Sequence, residues 1–284
     1  MVKSPLFALR VPSRPLMLPD GDRPCAAAPP PTSVMTDARA IYVLELVSRE
    51  AVRRGGRADV RDVCAAAVTA LPVDGAGISA RSSPALRHVL HTTDRISGEL
   101  EELQLSLGEG PCVDAITSGM PVLAGDLSAA ELHARWPAFA PSAYAAGASA
   151  FFALPLAVGA TMPGVLDLYS VRPGLLDDEV LADALAFADA ATTLMLFSPG
   201  DVAWQGPRSS AMQEALGFDQ YRAEVDQAVG MLTEQLGVGV EEAAVRLRAY
   251  AYSHSLKVAD VAVEVVARRL RFEPDGTARL REKE

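Results

Sequence analysis

The sequence predicts an α+β fold, in which an antiparallel sheet flanked by helices is followed by an all-helical module of three helices. Three observations predict this order. Apolar residues recur every three to four positions between residues 41 and 71, which is typical of half-buried helices. In paired segments between residues 74 and 171 the period changes to two, as in strands. From residue 225 onward the helical period returns, interrupted by glycines that end helices.

The first 35 residues form a proline-rich segment without hydrophobic periodicity, which is typical of a disordered tail. Proline interrupts its apolar residues too often for them to be the core of a signal peptide. Met35 introduces the first patterned segment, which leaves open the alternative that translation starts there.

Residues 36–198 are predicted to form the sheet domain. Adjacent strand pairs with helices between them favour an antiparallel sheet that is covered by helices. The predicted elements are two helices ending at Gly55 and Leu71, strands at 74–82 and 86–93, a helix at 94–103, a short helix ending at Gly119, a strand at 121–126, a helix at 136–146, strands at 149–158 and 164–171, and a helix at 177–197.

Residues 199–218 are rich in glycine, proline and serine, so they are predicted to be a linker. Residues 219–272 follow as three helices, the first of which is ended by Gly237. The second helix carries two glutamates in its first turn, where carboxylates suit the positive end of the helix dipole. The third helix is predicted to reach Leu270, and residues 273–284 are predicted to be a flexible charged tail.

The charge of the C-terminal helices is opposite to that of the chain. Between Ala243 and Phe272 there are six basic and two acidic residues, a net charge of +4, whereas the whole chain carries −10. A basic patch in an acidic protein indicates a local site for a polyanion. The alternative is a solvated helix face, with arginines that compensate the helix dipole.

Several function classes are disfavoured by what the sequence lacks. The three cysteines, Cys25, Cys64 and Cys112, have no CxxC spacing, which argues against a disulfide framework and a zinc site. Apolar runs stay below the roughly 20 residues of a membrane helix, so a cytoplasmic protein without membrane contact is expected. The GxxxxGK[ST], GxSxG and HExxH motifs are absent, so no enzymatic activity and no required metal or cofactor are expected.

Three C-terminal segments, VDQAVGML, EEAAVRLRAYA and KVADVAVEVV, resemble the ANTAR domain. The resemblance covers Tyr221–Leu270. It implies a three-helix RNA-binding module of bacterial transcription antiterminators, which binds a pair of RNA hairpins and so prevents a terminator from forming. Val229 stands where the family commonly has lysine. The RNA-binding residues expected from the resemblance and the basic patch are Arg248, Lys257, Gly230, Ala243, Ala251, Arg246 and Arg268.

The order of elements in residues 36–198 resembles a GAF domain, as do the GEGPC and LPL segments. This resemblance implies a sensor domain that takes a small-molecule effector between its sheet and covering helices and forms a homodimer through its terminal helices. The candidate pocket residues are Cys112, Trp136 and Phe152, with ordinary core positions as the alternative. The acidic run from Asp94 to Glu102 is interpreted as a solvated helix face.

These observations favour a signal-responsive, homodimeric regulator that binds paired RNA hairpins and acts as a transcription antiterminator. Two alternatives remain open at this point. Three short helices also describe a helix-turn-helix regulator that binds DNA, although the second and third helices lack a run of base-reading polar side chains. In the other alternative, the sheet domain binds a small molecule and the C-terminal helices only dimerise.

Overall fold

The computed structural model describes residues 32–83, 86–159, 161–197, 218–254, 256–273 and 277–280. The predicted tail at 1–35 therefore lies almost wholly outside the described residues, as does the predicted linker at 199–218. The first helix begins at Thr32, four residues before the predicted start of the sheet domain.

The sheet domain, residues 32–197, has five strands and seven helices within its described residues. In chain order they are α1 (Thr32–Arg54), α2 (Val60–Ala70), β1 (Gly75–Ser83), β2 (Leu86–Thr92), α3 (Arg95–Leu107), α4 (Pro111–Ser118), β3 (Val122–Ala124), α5 (Ala130–Arg135), α6 (Phe139–Ala146), β4 (Ala150–Val158), β5 (Thr161–Ser170) and α7 (Asp178–Phe197).

The strands form one antiparallel sheet in the order β2-β1-β5-β4-β3. Side chains alternate between its faces, as the strand period requires. On β4, Phe152 and Leu154 pack with α1, α2 and α7 in one core, whereas Phe151 and Ala153 pack with α3, α4 and α6 in another. The predicted α+β class with a helix-covered antiparallel sheet is therefore confirmed.

Local hydrogen bonds fix where the helices begin. Asp59 and Asp62 form a reciprocal capping box at the start of α2, and Asp94 and Ser97 form another at the start of α3. The predicted helix at 136–146 corresponds to α6, which begins at Phe139, and the preceding α5 was not predicted; the buried Trp136 is the C-cap residue of α5.

The C-terminal module, residues 218–280, contains α8 (Phe218–Leu236), α9 (Val240–Ser253) and α10 (Val258–Val266). A short hairpin of β6 (Leu270–Phe272) and β7 (Ala278–Leu280) follows. Apolar residues of all three helices and of β6 meet in one core.

The end of the module differs from the sequence prediction. The third helix stops at Val266 and does not reach Leu270, because Arg268 adopts a left-handed backbone conformation with φ of 58°. Leu270 is buried as predicted, but from a strand, and Phe272 packs edge-on against Tyr250 with ring centroids 5.4 Å apart. The segment predicted to be a flexible tail contains β7, which pairs with β6.

Candidate functional site

The basic residues of the C-terminal module divide into paired and accessible groups. Arg246 forms an ion pair with Glu242 at 3.1 Å, and Arg269 forms one with Glu264 at 2.7 Å. Three exposed cations of the module, Lys257, Arg268 and Arg271, form no ion pair within the described residues. Lys257 occupies the N-cap position of α10, where its side chain is open to a ligand.

Arg248 lies in a different environment from the other predicted contact residues. It is half-buried, and its guanidinium lies beside Gly108 of the sheet domain, where a β-carbon would be 3.4 Å from Arg248 Nε. Burial lowers the pKa of Arg248 from its ordinary value, and the nearby Arg87 guanidinium lowers it further. This predicted contact residue therefore faces the sheet domain.

The small residues predicted near the RNA surface fall into two groups. Ala243 and Ala251 are fully buried in the three-helix core, so their methyl groups pack between the helices. A methyl group at these positions lets the helices approach closely. Gly230 is exposed on α8, with nothing near its missing side chain. Val229 is 1% exposed, so the position where the family commonly has lysine belongs to the core here.

Tyr252 was not among the predicted contact residues, yet it is 63% exposed. It follows Arg248 by four residues, so the two side chains lie on the same flank of α9. Arg246 is two residues from Arg248 and therefore lies on the opposite flank. An exposed tyrosine beside a basic residue can stack on an unpaired base. The sequence signal that could have identified Tyr252 is its position, one helical turn after the predicted contact residue Arg248.

The model of the ANTAR domain family matches residues 212–266. This segment is an ANTAR domain. The match confirms the family that the three C-terminal segments predicted, and it includes α8, α9 and α10 with Arg246, Arg248 and Lys257. Arg268, Arg269 and Arg271 lie beyond its end. It covers the C-terminal part of the chain and leaves the sheet domain unassigned.

A second group of functional side chains is buried in the sheet domain, between the sheet and helices α3 and α4. We call Arg87, Glu101, Gln104, Cys112 and Asp167 the buried cluster. The Arg87 guanidinium donates to the Cys112 sulfur and, at 3.0 Å, to the Gln104 backbone carbonyl. The Gln104 amide accepts from the Cys112 backbone N–H at 2.7 Å and donates to Asp167 at 3.3 Å.

The two carboxyl groups of the buried cluster are incompletely paired. Within the described residues, Glu101 Oε1 and Asp167 Oδ1 are buried without a hydrogen-bond partner. Burial raises the pKa of Glu101 well above its ordinary value, and the neighbouring Asp167 raises it further. Burial also raises the pKa of Asp167, to about 6. Two buried acids side by side therefore favour holding a proton near neutral pH.

Cys112 is not an activated nucleophile in this arrangement. It is fully buried, and burial raises the pKa of its thiol well above the ordinary value, although the adjacent Arg87 guanidinium opposes this. A reactive cysteine requires the thiolate and access to solvent, and Cys112 has neither. Its contribution to the buried cluster is a small polarisable side chain.

The structure does not bring the three candidate pocket residues together. Cys112 and Trp136 pack on the α3–α4 face of the sheet, whereas Phe152 packs on the opposite face. Trp136 is 2% exposed and donates its indole N–H to Asp114 at 3.2 Å.

The interpretation of Glu101 as part of a solvated helix face is wrong, because Glu101 is only 3% exposed. It belongs to the inner stripe of α3, which runs through Leu100, Gln104 and Leu105 at helical spacing. Gly77 on β1 makes room for it, since a β-carbon there would lie 2.6 Å from Glu101 Oε1. The helical spacing of Glu101 from Leu100 and Leu105 is the sequence signal that could have identified Glu101 as a buried residue.

Solved structures similar to this chain include GAF domains. One is the GAF domain of a phosphoenolpyruvate-protein phosphotransferase from Coxiella burnetii, which is 18% identical over 58% of this chain and 98% of its own, with a TM-score of 0.44. The GAF domain of the phosphoenolpyruvate-protein phosphotransferase from Acinetobacter is 13% identical over 64% of this chain and 97% of its own, with a TM-score of 0.42. The GAF-B domain of DevS from Mycobacterium smegmatis is 17% identical over 50% of this chain and 94% of its own, with a TM-score of 0.37.

These likenesses are too distant to assign a function to the sheet domain. No curated protein matches the chain by sequence. Across the residues that the structure describes, no helix is long and apolar enough to cross a membrane. The same residues contain no group of histidine, cysteine and acidic side chains that could hold a metal ion.

Proposed function

We propose that this protein is a signal-responsive RNA-binding regulator, which binds paired hairpins in nascent transcripts in the cytoplasm and acts as a transcription antiterminator. The observation that carries the proposal is the ANTAR match over residues 212–266, on a module whose surface is rich in accessible cations. Hairpin loops offer phosphates and unstacked bases, which basic and aromatic side chains recognise together.

Lys257, Arg248 and Tyr252 are the proposed centre of the RNA surface. Lys257 supplies a phosphate contact, Arg248 a contact to a phosphate or a base edge, and Tyr252 a platform for an unpaired base. The exposed Arg268 and Gly230 are proposed to extend this surface, and Arg246 lies on the other flank of α9. The module is expected to bind without large rearrangement, since its core is already closed.

The sheet domain is proposed to be a GAF-like sensor for a small polar effector. The buried cluster supports this role because it holds two carboxyl oxygens without partners, which a ligand with N–H or O–H groups would satisfy. Cys112 belongs to this cluster and Trp136 packs on the same face, so both remain pocket candidates. Phe152 lies across the sheet from them.

The active protein is proposed to be a homodimer that pairs through α1. One side of this helix exposes large apolar residues, with Ile41 59%, Leu44 47% and Val52 78% exposed, although a helix of a monomer would ordinarily be polar there. Glu45 and Arg49 flank the same side, 3.7 Å apart. In an antiparallel pair of α1 helices, each glutamate could meet the arginine of the second copy.

Transcription by purified polymerase tests the proposed function directly. The template carries two hairpins upstream of a terminator, and the matched control template has altered loop bases in both hairpins. We expect the protein to increase read-through only on the first template. Unchanged read-through on a transcript that the protein demonstrably binds would overturn antitermination.

A further inference from the structure

The ANTAR domain packs against the sheet domain at a defined surface. Helix α9 lies beside the C-terminal end of α3, and α8 lies beside β2. Because β2 is the edge strand of the sheet, this side would otherwise be open. We call the surface formed by β2 and the end of α3 the docking surface.

One part of the contact involves Gly108 and Arg248. Gly108 ends α3 in a left-handed conformation, with φ of 67°, which glycine adopts without strain. The guanidinium of Arg248 lies over it, 3.4 Å from where a β-carbon would be. A larger residue would extend side-chain atoms into the space next to the guanidinium. Because Gly108 has no side chain, the guanidinium of Arg248 can pack against the docking surface.

A second part of the contact involves His88 and Asp226. His88 lies on the edge strand, yet only 1% of it is exposed. Its Nε2 is 3.3 Å from Asp226 Oδ1 on α8, close enough for an electrostatic contact between the two domains. The Asp226 side chain keeps 40% of its surface exposed, so a change there alters the contact without disturbing a core.

We propose that the docking surface is autoinhibitory: the sheet domain and RNA compete for Arg248. This inference rests on the proposed function and adds its regulation. In the docked arrangement Arg248 is withheld while Lys257 stays accessible, so RNA meets an incomplete surface. Binding of RNA through Arg248 then requires undocking, and its apparent affinity is reduced by the fraction of molecules that are docked.

The buried cluster is connected to the same surface through Arg87. Arg87 precedes His88 on β2, and its guanidinium reaches the Gln104 carbonyl in the last turn of α3 and the sulfur of Cys112. A ligand that rearranged these contacts would shift β2 and the end of α3, which are the two elements that hold the ANTAR domain. An effector that binds the undocked form better would then activate RNA binding.

Two full-length variants loosen the docking surface without altering the proposed RNA surface. Asp226→Ala removes the carboxylate beside His88, and Gly108→Asn adds a side chain under Arg248 at a position where asparagine tolerates the backbone. Glu234→Ala is the control for the first variant, because it removes one exposed acidic group from the same helix. Gly55→Asn is the control for the second, because Gly55 has φ of 78° and open space around it.

Hydrogen exchange and affinity for a two-hairpin RNA are measured on all five proteins. We expect faster exchange in β2 and α9 of Asp226→Ala and Gly108→Asn, together with about tenfold tighter RNA binding, and neither change in the controls. If Asp226→Ala and Gly108→Asn exchange faster but bind RNA no more tightly than the controls, the autoinhibition proposal is overturned, whereas the proposal that the protein binds RNA still holds. Exchange that stays at the wild-type rate in both variants would show that these contacts do not hold the domains together. No RNA binding by any protein, undocked variants included, would refute the proposed function itself.

Discussion

Among single residues of the ANTAR domain, Lys257 combines exposure, positive charge and freedom from any ion pair within the described residues. Lys257→Ala is expected to weaken RNA binding by about tenfold and to reduce the slope of log affinity against log salt by about 1, because one phosphate contact is lost. Titration of hairpin RNA at several salt concentrations measures both quantities. Arg172→Ala, an equal charge change on the exposed surface of the sheet domain, is the control; an equal loss there would mean that only total charge matters.

The buried carboxyl groups make a prediction about stability and pH. Since Glu101 and Asp167 have raised pKa values, these two groups hold more protons in the folded chain than in the unfolded chain from about pH 4 upward. The free energy of unfolding must therefore fall as pH rises through the pKa of Asp167, at about 6, and fall further as Glu101 ionises.

Glu101→Gln removes one of these ionisations and should flatten the fall above pH 6. We expect the variant to exceed the wild type in stability at pH 8, on the order of 1–2 kcal/mol, and to lose this advantage at pH 5. Urea unfolding at the two pH values measures it. Glu99→Gln, on the more exposed side of the same helix, should keep the wild-type pH dependence. An identical pH dependence in Glu101→Gln would contradict the assignment.

At the scale of elements, the sequence predicted most helices and strands because their apolar residues follow the periods of 3.6 and 2. It failed where a polar residue points inward. On α3 the inner stripe includes Glu101 and Gln104, which a hydrophobic pattern treats as surface. The predicted third helix of the ANTAR domain was also too long, because helix propensity does not record the left-handed conformation of Arg268.

The exposed side of α1 makes a prediction for this element. Ile41→Lys combined with Val52→Lys places two charges on the proposed dimer surface, where burial against a second copy would be unfavourable. We expect the dimer to dissociate at micromolar concentration, as measured by light scattering. Val171→Lys is the control, since Val171 is an exposed valine outside the helix. A wild-type chain that is monomeric, or a double variant that stays dimeric, would rule out this surface.

For the whole molecule, the sequence predicted the two modules and the polyanion site but not the relation between them. The basic patch of net +4 in a chain of −10 could be counted directly. The burial of Arg248 could not be predicted from the sequence, because it depends on a contact with Gly108, which lies 140 positions earlier in the chain. No local sequence pattern records such a contact. Likewise, the sequence shows that Ala243 and Ala251 match positions of the family. It does not show that they are buried, because their burial depends on how the three helices pack.

Recognition of RNA hairpins by the ANTAR domain is the property on which the proposed function depends. The most direct test measures the affinity of the full chain for a two-hairpin RNA, for the same hairpins with altered loops, and for duplex DNA, across a salt series. We expect binding to the first RNA that weakens with salt, and much weaker binding to the altered loops and to the duplex. Equal affinity for all three, or a preference for the duplex, would contradict it.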